Sequence, residues 1–170
     1  TPGPFCTAQE VSGRVCDWVK RALANGGSTP TLTERTSLNT FDLALVTASI
    51  DSLMASIVPV VGSSLIGALT PLYKAIGSDP WTNHNFIAGD LTVNGLLGDG
   101  ASKYADCGFD SVALQAYSNS NYGFVAYHYT GNNLSEFSIG IIFGPIFYGL
   151  SPFTDNQTYF MPIHAIHCLH

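Results

Sequence analysis

Apolar residues recur at helical spacing in the first part of the chain. The segment Thr7-Ala-Gln-Glu10 has the form of a capping box, in which the Thr hydroxyl and the Glu carboxylate cap the first turn reciprocally. The residues that follow share one helical face: Val11, Val15, Val19 and Leu23. Asn25-Gly26-Gly27 then supplies a glycine stop. The pattern predicts a helix from Thr7 to about Ala24, followed by the linker GGSTPTLTERT.

Two further helical segments are predicted before Gly77. In SLNTFDLALVTASIDSLMASIV the apolar residues stand near helical spacing, and Pro59 is the expected stop: Leu38, Phe41, Leu45, Leu53 and Ile57. In SSLIGALTPLYKAIG, Leu65, Leu69, Leu72 and Ile76 fall together, and Pro71 predicts a short or kinked helix. We therefore interpret residues 1–77 as a helical docking or oligomerisation region.

After Trp81 the pattern changes to alternation with frequent turns. NFIAGD, LTVNG, SVALQAY, YGFVAYHYT and FSIGIIFGPIFYGL are rich in β-branched and aromatic residues, and Gly, Asn and Asp clusters separate them. Short strands at this spacing favour antiparallel sheets packed as a sandwich or jelly roll. The predicted class is α+β, with an antiparallel β jelly-roll-like domain, whole or in part, over residues 78–170.

Composition narrows the classes of function. Charged residues make up only 11% of the 170 residues, and the formal net charge is −6. A negative, weakly charged chain lacks the basic stripe that nucleic-acid binding needs, so no nucleic-acid partner is expected. No apolar run reaches membrane-spanning length, so no membrane insertion is expected. A largely neutral surface suits a protein held against neighbours in an assembly or facing the extracellular medium.

The chain contains four cysteines, Cys6, Cys16, Cys107 and Cys168, which could form two disulfides. A continuous helix from Thr7 would place Cys6 and Cys16 roughly 15 Å apart, at about 1.5 Å per residue. A disulfide requires Cα atoms within about 7 Å. On that premise Cys6 and Cys16 would each pair with Cys107 or Cys168, or stay reduced as buried thiols.

The segment LLGDGASKYADCGFD concentrates residues with candidate chemistry. Asp99 and Asp106 could bind Ca²⁺ through carboxylate oxygens, or act as the carboxylate pair of a glycosidase. The structural alternative, which we favour, makes Asp99 a turn former, Tyr104 a core aromatic and Asp106 a strand-end cap. The Gly98-Asp99-Gly100 turn would then close a hairpin, with Tyr104, Asp106 and Gly108 on the strand that follows.

Metal chemistry and covalent catalysis receive little support elsewhere. His164, His167, Cys168 and His170 cluster at the end of the chain, but a finger-type zinc site needs a second spaced ligand pair. A C-terminal strand that contacts a neighbour is the preferred interpretation. The sequence has no G-x-S-x-G, P-loop, dinucleotide fingerprint or H-E-x-x-H. We expect no catalytic residue, no metal and no cofactor.

Tyrosines in the second part suggest a contact surface. Neutral sugars bind by stacking on aromatic rings that have amide and hydroxyl groups nearby. Several tyrosines of the second part stand near Asn and Ser in this way: Tyr117, Tyr122, Tyr127 and Tyr129. Alternation turns half of such side chains inward, so core or subunit contact competes with glycan contact.

The segment from Gly98 to Gly108 resembles the G-D-G-x-x-x-Y-x-D-x-G hairpin of laminin-G-like, concanavalin-A-like jelly-roll domains in structural proteins of tailed bacteriophages. The resemblance covers about Leu69 to Gly140, where FVAYHYTGNN and SIGIIF are similar to the next strands. Such jelly rolls usually continue beyond the equivalent of His170. The resemblance therefore implies a sandwich completed by a partner subunit or by a further portion of the polypeptide. Members of this group are mostly structural or adhesive.

The resemblance implies a non-catalytic structural protein on the outside of a bacteriophage virion, as a tail-associated, fibre or capsid-decorating subunit, and the low charge and lack of a catalytic motif fit that role. Its expected partners are other copies of itself and other virion proteins. The alternative is a secreted or virion carbohydrate-binding adhesin that recognises host surface glycans. A jelly-roll glycoside hydrolase is a third hypothesis, which would require Asp99 and Asp106 to face one cleft.

Overall fold

The computed structural model describes residues 11–61, 63–99, 102–109, 139–143 and 146–150, the last two segments as backbone. The chain forms two compact units, Thr1–Ala105 and Asp106–His170. In chain order the elements are α1 (Gly13–Ala24), α2 (Leu32–Thr47), a 3₁₀ turn (Asp51–Leu53), β1 (Ser56–Ile57), α3 (Leu65–Leu69), β2 (Tyr73–Lys74), β3 (Thr82–His84), a second 3₁₀ turn (Ala88–Asp90), β4 (Leu91–Thr92), β5 (Gly95–Leu96), β6 (Tyr104–Asp106), β7 (Ile139–Phe143) and β8 (Ile146–Leu150).

Helix α1 begins later than predicted. Ser12 has an extended backbone and is the N-cap, its hydroxyl accepting a hydrogen bond from the backbone N–H of Val15 at 3.3 Å. The prediction of one helix from Thr7 through Cys16 was therefore wrong, and Thr7 itself lies outside the described residues. Because α1 begins at Gly13, helix geometry does not set the distance between Cys6 and Cys16 and gives no argument against a disulfide between them. The predicted end is confirmed: Asn25 is the C-cap, and Gly26 follows with φ +87°.

Helix α2 begins inside the predicted linker. Thr31 is the N-cap of a full capping box, in which Glu34 N–H donates to the Thr31 hydroxyl and Thr31 N–H donates to the Glu34 carboxylate. The helix ends at Thr47, well before Pro59, so the predicted stop was also wrong. Ser49 adopts φ +57°; its N–H donates to Val46 O, and Ile50 N–H donates to Leu45 O. This pair of bonds is a Schellman ending with serine in place of the usual glycine.

Helix α3 is short, as Pro71 predicted. Ser64 caps its first turn by accepting from Gly67 N–H at 3.2 Å, and the helix ends at Leu69. Leu72 then lies fully buried beyond the helix, and Tyr73 begins strand β2. The helical segment predicted to reach Gly77 is therefore limited to one turn and a half.

The sheets are small. Strand β1 pairs with β2, β4 with β5 and β7 with β8, all antiparallel, and β3 pairs with β6. In the β7–β8 pair, Ile139 lies opposite Leu150 and Phe143 opposite Ile146. The α+β class is confirmed. Within the described residues these pairs do not build a closed sandwich, so the jelly roll stays a prediction.

The described core forms where α1, α2 and the start of β2 meet. The predicted apolar face is confirmed within α1, where Val15 and Val19 are buried and Leu23 packs against the core cluster, whereas Val11 is buried but precedes the helix. Other buried members are Trp18, Leu38, Leu72 and Tyr73. The Trp18 indole N–H donates to Thr70 O at 2.9 Å, which satisfies the polar atom of the largest buried side chain. Among the described residues, no helix has the length and apolar character needed to cross a membrane.

Candidate functional site

The Asp99 loop is built around one carboxylate. Asp99 Oδ1 accepts from the backbone N–H of Ser102 at 2.8 Å and from that of Lys103 at 3.0 Å, while Oδ2 accepts from the Ser102 hydroxyl at 2.8 Å. These bonds are those of a turn-forming aspartate, the role predicted for it. Both carboxylate oxygens of Asp99 therefore accept hydrogen bonds from residues of the same turn.

The hairpin lies elsewhere than predicted. Strands β4 and β5 close it at Val93-Asn94, with Thr92 opposite Gly95. The strands on either side of Asp99, β5 and β6, belong to different pairs. The expectation that Gly98-Asp99-Gly100 closes a hairpin was therefore wrong: the segment links two sheets. Gly100 itself lies outside the described residues.

Lys103 ties this loop to the preceding 3₁₀ turn. Its ammonium donates to Asp90 Oδ1 at 2.8 Å, and Asp90 Oδ2 accepts from Ile87 N–H at 2.8 Å. The backbone hydrogen bond from Ile87, followed by the bond from Lys103, holds the pKa of Asp90 below its ordinary value. The sequence does not predict this pair, since Asp90 stands in no recognised motif and Lys103 occupies an unspecified position of the Gly98–Gly108 segment.

Tyr104 is not a core residue. It is 36% exposed, and its ring stacks on His84 from the neighbouring strand, with centroids 4.1 Å apart and planes 9° apart. The prediction that Tyr104 is a core aromatic was therefore wrong. The stack joins β3 to β6 on the outside of the unit.

Asp106 ends strand β6 and accepts from Gly108 N–H at 2.8 Å, while Gly108 adopts φ +64°. This is the strand-end role predicted for Asp106. Within the described part of the chain, no group of three or more His, Cys, Asp or Glu side chains could hold a metal ion. The Ca²⁺ interpretation of Asp99 and Asp106 therefore has no geometric support there.

Several predicted site residues lie outside the described residues. They are Cys6, Cys168, Tyr117, Tyr122, Tyr127, Tyr129 and the histidines His164, His167 and His170. Cys16 lies on α1, half-buried against the core, and Cys107 follows β6. The pairing of the four cysteines stays a prediction.

The most buried charge, Asp42, belongs to a cluster that the sequence did not indicate. We call Ser12, Arg14, Asp42 and Tyr73 the buried charge cluster. Asp42, 2% exposed, accepts from the Arg14 guanidinium and from the Tyr73 hydroxyl (2.6 Å) at Oδ1, and from the Ser12 hydroxyl (2.7 Å) at Oδ2. Arg14 also donates to the Tyr73 oxygen at 2.7 Å and lies over its ring, 4.1 Å from the centroid.

The cluster joins three elements. Ser12 and Arg14 belong to the first turn of α1, Asp42 to the inner face of α2, and Tyr73 to β2. Ser12 makes two further hydrogen bonds. Its N–H donates to Asn39 Oδ1 at 2.6 Å, and its hydroxyl caps α1. Asp51 completes the surroundings of Arg14 at 3.4 Å. One carboxylate thereby fixes the start of α1 against α2 and β2.

The surroundings of these groups stabilise their present protonation states. Burial alone would raise the pKa of Asp42, but hydrogen bonds from Tyr73, Ser12 and Arg14 outweigh it, and the pKa lies below its ordinary value. Burial, and then the bond to Asp42, raise the pKa of the Tyr73 phenol above its ordinary value. Burial would lower the pKa of Arg14, but Asp42 reverses the effect and raises it. At neutral pH the cluster is an ion pair bridged by a neutral phenol.

A second set of charges surrounds Asp79, whose side chain is 7% exposed. Arg21 Nη1 lies 3.1 Å from each Asp79 oxygen, and Lys74 Nζ lies 3.3 Å from Oδ2. Arg21 also bonds Asp17, one turn earlier on α1, at 2.7 Å. This set connects α1 with β2 and with the segment that precedes β3.

Comparison of the chain with protein-family models, characterised proteins and solved structures finds no match. Function must therefore be inferred from the residues and their contacts. Among the described residues, the carboxylates of the two charge sets and of the Asp99 loop bind cations, hydroxyls and backbone amides of the same chain.

Proposed function

We propose that this protein is a non-catalytic structural subunit on the exterior of a bacteriophage virion, as a tail-associated, fibre or capsid-decorating component. The observation that carries the proposal is the sequence of Gly98–Gly108, which resembles a segment of phage jelly-roll proteins, although in this chain the segment links two strand pairs instead of closing a hairpin. Asp99 and Asp106 bind backbone amides of their own turns, and this use of their oxygens supports a structural role over a catalytic one.

The electrostatics of the first unit support the same role. A general acid or base works best with a pKa near the operating pH. The pKa values of Asp42 and Asp90 are instead lowered, and that of Tyr73 is raised, so all three move away from neutrality. Groups held in one protonation state suit a subunit that keeps its shape outside a cell.

Purified particles test this proposal directly. Virions whose genome encodes the chain would be washed in high salt and analysed by quantitative mass spectrometry, before and after reduction. We expect the chain in a fixed number of copies per particle, and gold-labelled antibodies on the outside of intact particles. A chain absent from washed particles, or reached by antibody only after disruption, would refute the proposal. The unreduced sample also reports which cysteines are linked.

A carbohydrate-binding adhesin is the second candidate, and the exposed Tyr104–His84 stack favours it. Tyr104 is 36% exposed, and an exposed aromatic ring can stack on a sugar ring. A glycan array probed with the wild type and with Tyr104→Ala separates the two functions. Binding that is lost in the variant supports the adhesin, whereas particle incorporation without glycan binding supports the purely structural subunit.

A further inference from the structure

The dipeptide Asn-Gly occurs twice in the chain, as Asn25-Gly26 and as Asn94-Gly95. Both asparagines are exposed, and both glycines have a positive φ, +87° at Gly26 and +115° at Gly95. A glycine that follows an asparagine has no Cβ to obstruct attack of its backbone nitrogen on the asparagine side-chain amide. The two sites therefore share this intrinsic chemistry and differ in how the fold holds them.

Asn25-Gly26 is held by hydrogen bonds at the end of α1. The Asn25 side-chain amide donates to Arg21 O at 2.9 Å, and Gly26 N–H donates to Leu23 O at 3.0 Å. The amide and the nitrogen that would attack it are thus both engaged in other bonds. The same helical turn contains fully buried Ala22, so freeing the site requires the packed end of α1 to open.

Asn94-Gly95 lies at the tip of a short hairpin. Strands β4 and β5 pair over two residues each, and Thr92 opposite Gly95 is the last pair before the turn. Asn94 N–H donates to the Thr92 hydroxyl at 3.2 Å, and in the described part of the chain the Asn94 side-chain amide has no hydrogen-bond partner. Its neighbour Val93 is 99% exposed and contributes no packing to the turn. A turn with so few contacts opens frequently.

We propose that Asn94 is a site of spontaneous covalent modification, at which its side-chain amide is converted to aspartate or isoaspartate. The backbone nitrogen of Gly95 loses its proton to base and forms a bond to Asn94 Cγ. The amide nitrogen takes up a proton and leaves as ammonia, which closes a cyclic imide. Water then adds its hydroxyl to one imide carbonyl carbon and its proton to the ring nitrogen, which opens the ring. This modification is independent of the function proposed above.

The two products change the hairpin differently. Aspartate adds one negative charge to a chain whose net charge is −6. Isoaspartate routes the main chain through Cγ and lengthens the turn by one methylene group, so Thr92 loses its register opposite Gly95. A pairing of two residues on each strand has no further pairs to hold that register. We therefore expect the β4–β5 pair to be lost in the isoaspartate form, and the converted fraction to rise with time since synthesis.

Peptide mapping of the folded full chain by mass spectrometry tests the site. Samples are kept for weeks in mildly alkaline and in mildly acidic buffer, and fragmentation at the N–Cα bond distinguishes isoaspartate from aspartate. Asn94 should convert at least about tenfold faster than Asn25, since a short hairpin turn opens more often than a packed helix end. Conversion should be faster in the alkaline buffer, because the attacking nitrogen must lose its proton.

The chain unfolded in urea is the matched control, because both Asn-Gly pairs then lack the fold and should react at similar rates. Asn94→Gln, whose longer side chain would have to close a larger ring, should stay unmodified at that position. Equal rates at Asn25 and Asn94 in the folded chain would overturn the inference. Absence of conversion at Asn94 in the alkaline buffer would do the same.

NMR contacts between Thr92 and Gly95 test the effect on the hairpin. The isoaspartate form should lose them, whereas Asn94→Asp, which keeps the normal main chain, should retain them. If the isoaspartate form keeps these contacts, the predicted loss of the β4–β5 pair is wrong.

Discussion

The buried charge cluster gives the most decisive prediction for the fold. Asp42→Asn keeps the size of the side chain but removes the negative charge that Arg14, Ser12 and Tyr73 surround. The guanidinium then faces a neutral amide, and one amide cannot accept three donors as a carboxylate does. We expect the variant to fold but to be markedly less stable.

The magnitude follows from the burial of the two partners. Breaking a buried ion pair by removing one partner costs about 3–5 kcal/mol. The Arg14 side chain is 33% exposed and can regain water, which places this case at the lower end, about 3 kcal/mol. Asp51→Asn is the matched control, because Asp51 contacts the same arginine at 3.4 Å and is 28% exposed. Its loss should stay below about 1 kcal/mol.

Urea unfolding of the full chain, followed by tryptophan fluorescence, to which buried Trp18 and half-buried Trp81 contribute, measures both variants. At a slope of about 1–3 kcal/mol per molar urea, a loss of 3 kcal/mol lowers the midpoint by about 1–3 M. If Asp42→Asn unfolds within about 1 kcal/mol of the wild type, or no earlier than Asp51→Asn, the cluster does not stabilise the unit as we argue.

The acid dependence provides a second measurement on the same pair. The pKa of Asp42 is lowered in the folded state. The contribution of the Asp42 carboxylate to the free energy of unfolding is therefore complete above the unfolded pKa of about 3.9, and it is lost as pH falls through the folded pKa. The stability difference between wild type and Asp42→Asn should therefore be constant near pH 7 and shrink below about pH 4. A difference unchanged at pH 3 would contradict this linkage.

Three further outcomes follow from single contacts. The pKa of Tyr73 is raised in the folded state, so the contribution of Tyr73 to the free energy of unfolding is complete below about pH 10 and is lost as pH rises further. Tyr73→Phe should not show this loss of stability at alkaline pH in urea unfolding. Ser49→Gly should stabilise the chain by about 0.5–1 kcal/mol, because Ser49 has φ +57°, whereas Ser37→Gly inside α2 should destabilise it by a similar amount. Lys103→Met should raise the pKa of Asp90 in a carboxyl NMR titration without restoring the ordinary value, because the larger backbone bond persists.

Local signals in the sequence predicted part of this fold. The Val11, Val15 and Val19 stripe, the glycine end of α1 and the shortening effect of Pro71 each depend on neighbours within a few residues. The start of α2 could also be predicted from the sequence, because Thr31-x-x-Glu34 has the spacing of a capping box. The run of Ser, Thr and Pro residues around Thr31 is also typical of a linker, and Thr7-x-x-Glu10 has the same capping-box spacing.

The sequence indicates only part of the buried charge cluster. Asp42 stands four residues after Leu38 and three before Leu45, so a charge in an apolar stripe was visible. Its partners were not visible, because Arg14 lies 28 and Tyr73 31 residues away along the chain. Tyr104 shows the reverse case: a motif position suggested burial, but pairing of β6 with β3 places the ring outside against His84.

The distances along the chain within the buried charge cluster also bear on the speed of unfolding. Arg14 must meet Asp42 across 28 residues and Tyr73 across 59, and each closure costs chain entropy before any bond forms. We expect helices α1 and α2 to form from local contacts first, and the cluster to close after the rate-limiting barrier. Contacts absent from the transition state slow unfolding and leave the folding rate unchanged. The cluster would then act mainly by prolonging the lifetime of the folded unit, as the proposed role on a virion would require.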